Sequence, residues 1–454
     1  MPEYGLREPS YMGGAGRSLL TALPVLAVVA AIGAVGYLWV KSTAPAVEIV
    51  GGFPRALGPS TAIKVRWTNP HGARRLTVWV EQNGTRTQVF EKAEASTRFR
   101  FARVPEAPGE ASLVISKSSG LTPGKATVTV EVQSNDLRGQ VGQVAKELPV
   151  VLEKPSVTAD SEPVFLRRGG TGVVTFGVGG GWDDAGVRVG KYTFPSWPVK
   201  GRAERRVALI SIPPDAGEED APVLFARNAI GDEATTEFRH TVTPGKFRER
   251  TLELGDRLME KVLGELDAGA QGPAAERFAR INSVMRRAND ATLADLSRKS
   301  EGKRLWDGPF AMLPRGKAEA MFADHRTYKY GGKALNKEWH LGIDMASVQN
   351  AAVPAGNAGK VVHAGRLGIY GNCVVIDHGL GVLTVYGHMS RLGVKVGDPV
   401  KRGQEIGKSG MTGLAGGDHL HLGVMVGGAF VDPVEWTYLS WMDQTIMPAL
   451  KTLE

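Results

Sequence analysis

Residues 21–40 read TALPVLAVVAAIGAVGYLWV, twenty positions without a charged side chain. Such a run narrows the backbone's choices: in hydrocarbon no water is present to bond peptide groups, so a spanning segment must satisfy its own N–H and C=O groups, as a helix does. At about 1.5 Å rise per residue this length covers roughly 30 Å, the thickness of a bilayer core. Tyr37 and Trp39 stand at one end, where aromatic side chains favour the interface. A cleaved signal sequence is the rival reading, but its apolar region needs only ~7–15 residues. The sole A-x-A triplet, Ala44-Pro45-Ala46, also carries a proline. The expectation is an uncleaved anchor over 18–40. Arg7 and Arg17 before it and Lys41 after it place the tail 1–17 in the cytoplasm and everything beyond Lys41 outside.

The remaining chain is too long for one ordinary core, since 454 residues suggest two to four domains. Its texture is mainly β. Short alternating runs such as AIKVRW (62–67), RLTVWVEQ (75–82), RFRFARV (98–104), ATVTVEV (126–132), GVVTFGV (172–178) and RVALISI (206–212) are separated by turn-rich stretches. This spacing predicts two β-sandwich (Ig-like) modules, over 46–152 and 153–245. A short helical spacer follows over 246–304: LELGDRLMEKVL has an apolar stripe at helical spacing, Pro273 opens a second helix as its first residue, and Asn289 or Asp290 caps a third. From 305 to 442 Gly-punctuated strands return. The net charge of +8 suits anionic surroundings. With no zinc finger, RNP-like motif or Arg-rich arm, nucleic acid is not an expected partner. Cys373 is the one cysteine, so an intrachain disulfide is excluded and any metal must be held by His and carboxylate.

Six of the nine histidines fall between 340 and 421. In HLH (419–421), a strand would project His419 and His421 from one face and turn Leu420 and Leu422 to the other. In HLGID (340–344), Leu341, Ile343 and Met345 alternate with His340, Gly342 and Asp344, which is the strand period. On a straight strand His340 and Asp344 would stand about 13 Å apart at Cα. If they share an ion the chain must bend, and Gly342 is the residue that permits it. The third piece is YGH (386–388). His71, His240 and His325 read as satisfied structural residues, His363 as packed along a strand, and His378 as a turn hydrogen-bonder. Cys373 reads as a small buried side chain. The run GKSGMTGLAGGDH (407–419) lacks the P-loop pattern and reads as a tight wall beside a cleft.

HxGxD, YGH and HLH, in that order, together with VPAGNAGKVVHAG, GIYGNCVVIDHG and VKVGDPVKRGQEIG, resemble the lysostaphin/LytM-type zinc metallopeptidases over about 313–436. That resemblance implies an all-β peptidase domain that cuts peptide bonds in bacterial peptidoglycan. It implies one Zn2+ per chain on His340, Asp344 and His421, with His388 and His419 flanking the metal-bound water as catalytic residues. A tyrosine ahead of the first ligand, Tyr328 or Tyr330, would help stabilise the transition state. One departure is Leu422, where the family often has an aromatic residue; facing the core, it should not alter the chemistry. Expected partners are the peptide stems of peptidoglycan and, through the helix, the bacterial cytoplasmic membrane, with the catalytic domain periplasmic. Two other readings fit the same residues: a catalytically silent module that binds wall or activates another hydrolase, and a latent enzyme whose N-terminal domains or spacer fill the fourth zinc position.

Overall fold

The computed structural model describes residues 16–93, 108–217 and 219–454. Most of the tail expected over 1–17 and the strand expected at 98–104 lie outside them. The chain divides into two compact units, 1–153 and 154–454.

In the first unit a helix runs over Gly16–Lys41. Its segment Leu23–Lys41 has a mean hydropathy of 2.2 and is the one helix, among the described residues, long and apolar enough to cross a membrane. Leu26, Ile32 and Val40 are all exposed, so this helix is apolar around its circumference and no core among the described residues covers it. Two antiparallel sheets follow, one of Ala46–Ile49, Ser60–Thr68 and Gly109–Ser116, the other of Thr85–Ala93, Ala73–Gln82, Gly124–Ser134 and Val141–Val150. Along Gly124–Ser134 the residues Ala126, Val128, Val130 and Val132 are buried at every second position. They meet Ile63, Val65 and Leu113 of the facing sheet to form the sandwich core.

The second unit begins with two four-stranded sheets, built around Thr171–Gly179 with Arg202–Ser211 and around Asp184–Val189 with Val223–Arg227. Their core does not close on itself. Phe176, Phe194 and Leu209 belong to the same apolar cluster as Val382, Val424 and Val426 of the C-terminal sheet and Trp436 of the helical turn after it. Arg167 reinforces the junction by pairing with Asp432 at 2.8 Å and Glu435 at 2.7 Å. This sandwich is therefore packed into the C-terminal domain and does not stand apart as a stalk.

The expected spacer differs from its sequence reading in three ways. It opens with a strand, Glu249–Glu253, which adds parallel to Asp324–Tyr330, so Leu252 and Leu254 precede the helix Asp256–Leu266 instead of lying on it. Pro273 precedes the helix Ala274–Arg280 as its N-cap. Asn289 and Asp290 lie inside the helix Arg286–Arg298 and cap nothing. Their side chains are drawn off by tertiary partners: Asn289 Oδ1 accepts the Ile369 N–H at 2.9 Å and Asp290 Oδ1 accepts from Tyr370 Oη at 3.0 Å. Met259, Val262, Leu263, Phe278 and Leu293 enter the same core as Ile343, Val385 and Leu420, so these helices complete the C-terminal domain.

That domain is built on one antiparallel sheet in which Ile343–Ala346, Leu420–Val426, Val382–Met389, Asn372–Asp377 and Gly359–Arg366 are neighbours in that order. Leu420–Val426 and Val382–Met389 are buried on both faces, which explains their nearly unbroken apolar sequence.

Phe194 is fully buried, and a Cβ on Gly427, in the turn after Leu420–Val426, would lie 2.7 Å from its ring. Phe194→Ala is expected to cost about 3–5 kcal/mol in urea unfolding followed by tryptophan fluorescence. A cost below about 1 kcal/mol would mean that the shared core contributes little.

Candidate metal centre and its cleft

Three strands deliver three side chains to one point. Ile343–Ala346 pairs antiparallel with Leu420–Val426 so that Asp344 lies directly opposite His421. His340 ends the strand Lys333–His340, and the chain bends at Gly342 before Ile343 begins the next strand. The expected break is present, but its cause differs. Gly342 is not in the left-handed region; instead, a Cβ there would sit 2.5 Å from Cε1 and Nε2 of His421. The glycine leaves room for the imidazole.

His340 Nε2 and His421 Nδ1 each lie 2.9 Å from Asp344 Oδ1, and 3.2 Å from one another. Four-coordinate zinc with bonds of about 2.0–2.1 Å requires ligand atoms roughly 3.3 Å apart, so this triangle fits one face of a zinc tetrahedron. Among the described residues these three form the one group of His, Cys, Asp or Glu that could hold a metal ion. His340 Nδ1 donates to the Met321 carbonyl at 2.9 Å, which fixes the tautomer and leaves Nε2 as the donor atom. Arg326, half-buried on the strand Asp324–Tyr330, donates from Nη2 to Asp344 Oδ2 at 3.0 Å. It thereby occupies one carboxylate oxygen and leaves Oδ1 for the cluster.

His388 and His419 stand beside this group, with ring centroids 4.8 Å apart. His388 Nδ1 donates to the Thr412 carbonyl at 2.8 Å, and His419 Nδ1 to the Gly417 carbonyl at 2.9 Å. Both Nε2 atoms are thus the free basic nitrogens; that of His419 lies 3.6 Å from Asp344 Oδ1. His388 takes a positive φ of 62°, a strained conformation for a residue with a Cβ and one that accumulates at functional sites.

The electrostatics follow from burial. Burial alone would raise the Asp344 carboxyl, but His340, His419 and His421 outweigh it and hold it well below the usual carboxylate range. Burial pushes the His421 imidazole down to about 4. Burial, then the neighbouring His419 and His421, keep His388 well below the ordinary imidazole range. Burial lowers His419, but the neighbouring Asp344 carboxylate more than offsets it, so this imidazole is raised.

The five residues line a cleft of about 280 Å3. Tyr328 lines it too, whereas Tyr330 is bonded to Asp256 Oδ1 at 2.8 Å and is not among its lining residues. Leu414, Ala415 and Gly416 of the Gly-rich run form one wall, and Leu252, Leu254 and Leu258 from the supposed spacer form another. The other histidines have structural roles: His378 is fully buried between the Ala358 carbonyl and Thr384, and His325 stacks on Trp339. Arg326 and Tyr370, whose ring packs 5.4 Å from that of His421, escaped the sequence reading. The alternation of DHRTYKY carried a signal for Arg326, since it puts a cation on the same strand face as the inward-facing Tyr328.

A His-Asp-His donor set beside two imidazoles with free Nε2 atoms, all carried by a β-sheet, defines a metallopeptidase-type site. Residues 338–433 match the model of peptidase family M23, and the chain carries a domain of that family. Among the proteins it is similar to, the DD-carboxypeptidase/endopeptidase Mpg of Neisseria meningitidis serogroup B is 42% identical over 95 residues, 21% of this chain and 22% of the relative. The peptidoglycan DD-endopeptidase ShyA of Vibrio cholerae is 41% identical over 96 residues, 21% of this chain and 22% of the relative. The chain thus spans about a fifth of the length of these curated relatives. The solved catalytic domain of the antimicrobial peptidase lysostaphin from Staphylococcus simulans is 33% identical, covering 28% of this chain and 94% of that one with a TM-score of 0.24.

Gly342→Ala should displace the His421 ring and weaken zinc binding by about tenfold or more in competition with a chelator, and Arg326→Met by about 10–100-fold. Unchanged affinity in both variants would show that neither residue shapes the metal centre.

Proposed function

We propose that this protein is a zinc-dependent endopeptidase that hydrolyses peptide cross-links of bacterial peptidoglycan. The carrying observation is the convergence of His340 Nε2, Asp344 Oδ1 and His421 Nδ1 within 3.2 Å of one another, beside His388 and His419. The three donors would hold one Zn2+ per chain and leave its fourth position open to the cleft. When bound, zinc supplies Lewis acidity, lowering the pKa of a coordinated water to about 7 and polarising the scissile carbonyl. The rest of the chemistry belongs to the chain. His388 and His419 have their Nδ1–H groups committed to main-chain carbonyls, so each takes or gives a proton at Nε2 without losing its orientation. That is the arrangement needed to accept the proton of the attacking water and return it to the leaving amine. The Leu252, Leu254, Leu258 and Leu414 side chains line an apolar rim that keeps bulk water from the reacting centre and strengthens each electrostatic contact inside it.

The names of the two curated relatives, a DD-carboxypeptidase/endopeptidase and a DD-endopeptidase, support D,D-cross-links as the bond cut. The apolar helix supports a single-pass membrane anchor, and Arg7 and Arg17 before it with Lys41 after it support an N-terminus in the cytoplasm and a catalytic domain in the periplasm.

Purified wall fragments incubated with the protein should release products carrying newly freed peptide ends, read by mass spectrometry. His388→Ala should remove this activity while leaving zinc stoichiometry near one; His340→Ala should remove both. Full hydrolysis by either variant would sink the mechanism.

A further inference from the structure

The two carbonyls that orient the proposed proton-transfer histidines both lie in one irregular loop, residues 409–419. Thr412 supplies the acceptor for His388 and Gly417 the acceptor for His419. The loop is pinned on its inner side, where the Leu414 N–H donates to the Ile369 carbonyl at 2.8 Å and Thr412 Oγ1 accepts the Asn372 N–H at 2.9 Å. Its other side is held by the helix Asp256–Leu266. Lys261 Nζ donates to the carbonyls of Met411 and Gly413, both at 2.5 Å, and reaches that of Ala415 at 3.3 Å. Glu265, one turn further along, accepts the Gly413 N–H at 2.7 Å and pairs with Lys261 at 3.2 Å and Arg366 at 2.6 Å.

The pattern within the loop is informative. Carbonyls 411, 413 and 415 turn toward Lys261, and carbonyl 412, between them, turns the opposite way onto His388. An ammonium has three protons, and this one shares them among three carbonyls of a single loop and the Glu265 carboxylate. A largely buried ion pair is a poor source of stability, because an apolar side chain of similar volume fills the space at no desolvation cost. What an apolar side chain cannot do is select which carbonyls face it.

We propose that Lys261 and Glu265 form a positioning clamp that sets the Thr412 carbonyl on His388 Nδ1 and so aims the imidazole at the substrate; this rests on the endopeptidase reading above. The helix is then a working part of the catalytic apparatus. Neither residue touches the reacting atoms. None of the three metal-binding candidates lies on the loop, so the clamp and the metal centre are separable.

The full-length, zinc-loaded protein is compared with Lys261→Met and Lys261→Arg on a defined cross-linked muropeptide. Lys261→Met keeps the length and bulk but removes the donors. Its kcat should fall about 10–100-fold through misaimed proton transfer, with zinc affinity within about twofold of wild type, since His340, Asp344 and His421 all lie off the loop. Lys261→Arg, which retains N–H donors, should recover most of the loss. In 15N NMR spectra of the imidazoles, His388 should be a single Nδ1–H tautomer in the wild type and a mixture in Lys261→Met. An unchanged kcat and tautomer in Lys261→Met would overturn the clamp. So would a loss of kcat matched by a loss of zinc, or a gain of activity, which would identify the helix as a cover. If Lys261→Met does not fold, Lys261→Gln is judged by the same numbers. Should the wild type hydrolyse no muropeptide, the endopeptidase reading fails, and the tautomer alone decides whether the clamp exists.

Discussion

A carboxylate largely withdrawn from water in a sheet has to be compensated, and Asp344 is the point around which the C-terminal domain arranges that compensation. Isolated in a low-dielectric interior, its charge would cost several kcal/mol or force protonation. Cross-strand pairing places His421 opposite it, the bend at Gly342 returns His340 to it, and Arg326 takes its second oxygen. The same contacts that make the charge tolerable leave three donor atoms facing one point. Stability and metal binding are thus two outcomes of one packing problem, and zinc would replace the imidazole contacts by a stronger charge partner.

Parts of the chain that look like connectors turn out to be structural to that site. The segment between the second sandwich and the peptidase domain supplies a strand to the sheet that carries Arg326, and apolar side chains to the cleft. Its helices add Met259, Val262 and Phe278 to the core beneath the catalytic sheet. The second sandwich shares Phe194 and Leu209 with the same sheet's far side. Removing these segments would therefore open the core of the domain as well as uncover its cleft.

The legibility of each element in the sequence tracks the range of the interactions that define it. Strands such as Gly124–Ser134 announce themselves through alternation, and the apolar helix through length and lack of charge, because those signals are set within a few neighbouring residues. The five candidate site residues were named through the family resemblance that HxGxD, YGH and HLH carry, and the structure brings all five to one cleft. The segment after residue 246 was misjudged at its edges. Leu252 and Leu254 fit a helical stripe, yet pairing with Asp324–Tyr330 holds Leu252 in a strand and the Leu254 N–H donates to the Lys329 carbonyl just beyond it. Asn289 and Asp290 look like caps, yet residues 369 and 370 claim their side chains from within a continuous helix. In each case a partner some 70–80 positions away overrode a local preference.

By itself the sequence determined a membrane-compatible helix, a mainly β chain, and a set of histidines and one aspartate spaced for strands. Periodicity and motif spacing are properties of the chain's order, so no folding is needed to read them. Only the tertiary structure decided that Gly342 is required for space and not for its backbone angle. It alone brought Arg326 to Asp344 and set three carbonyls of one loop on Lys261. These are contacts between segments 18 to about 150 residues apart. Which residues meet at such distances is settled by how sheets and helices pack, and no local pattern encodes it.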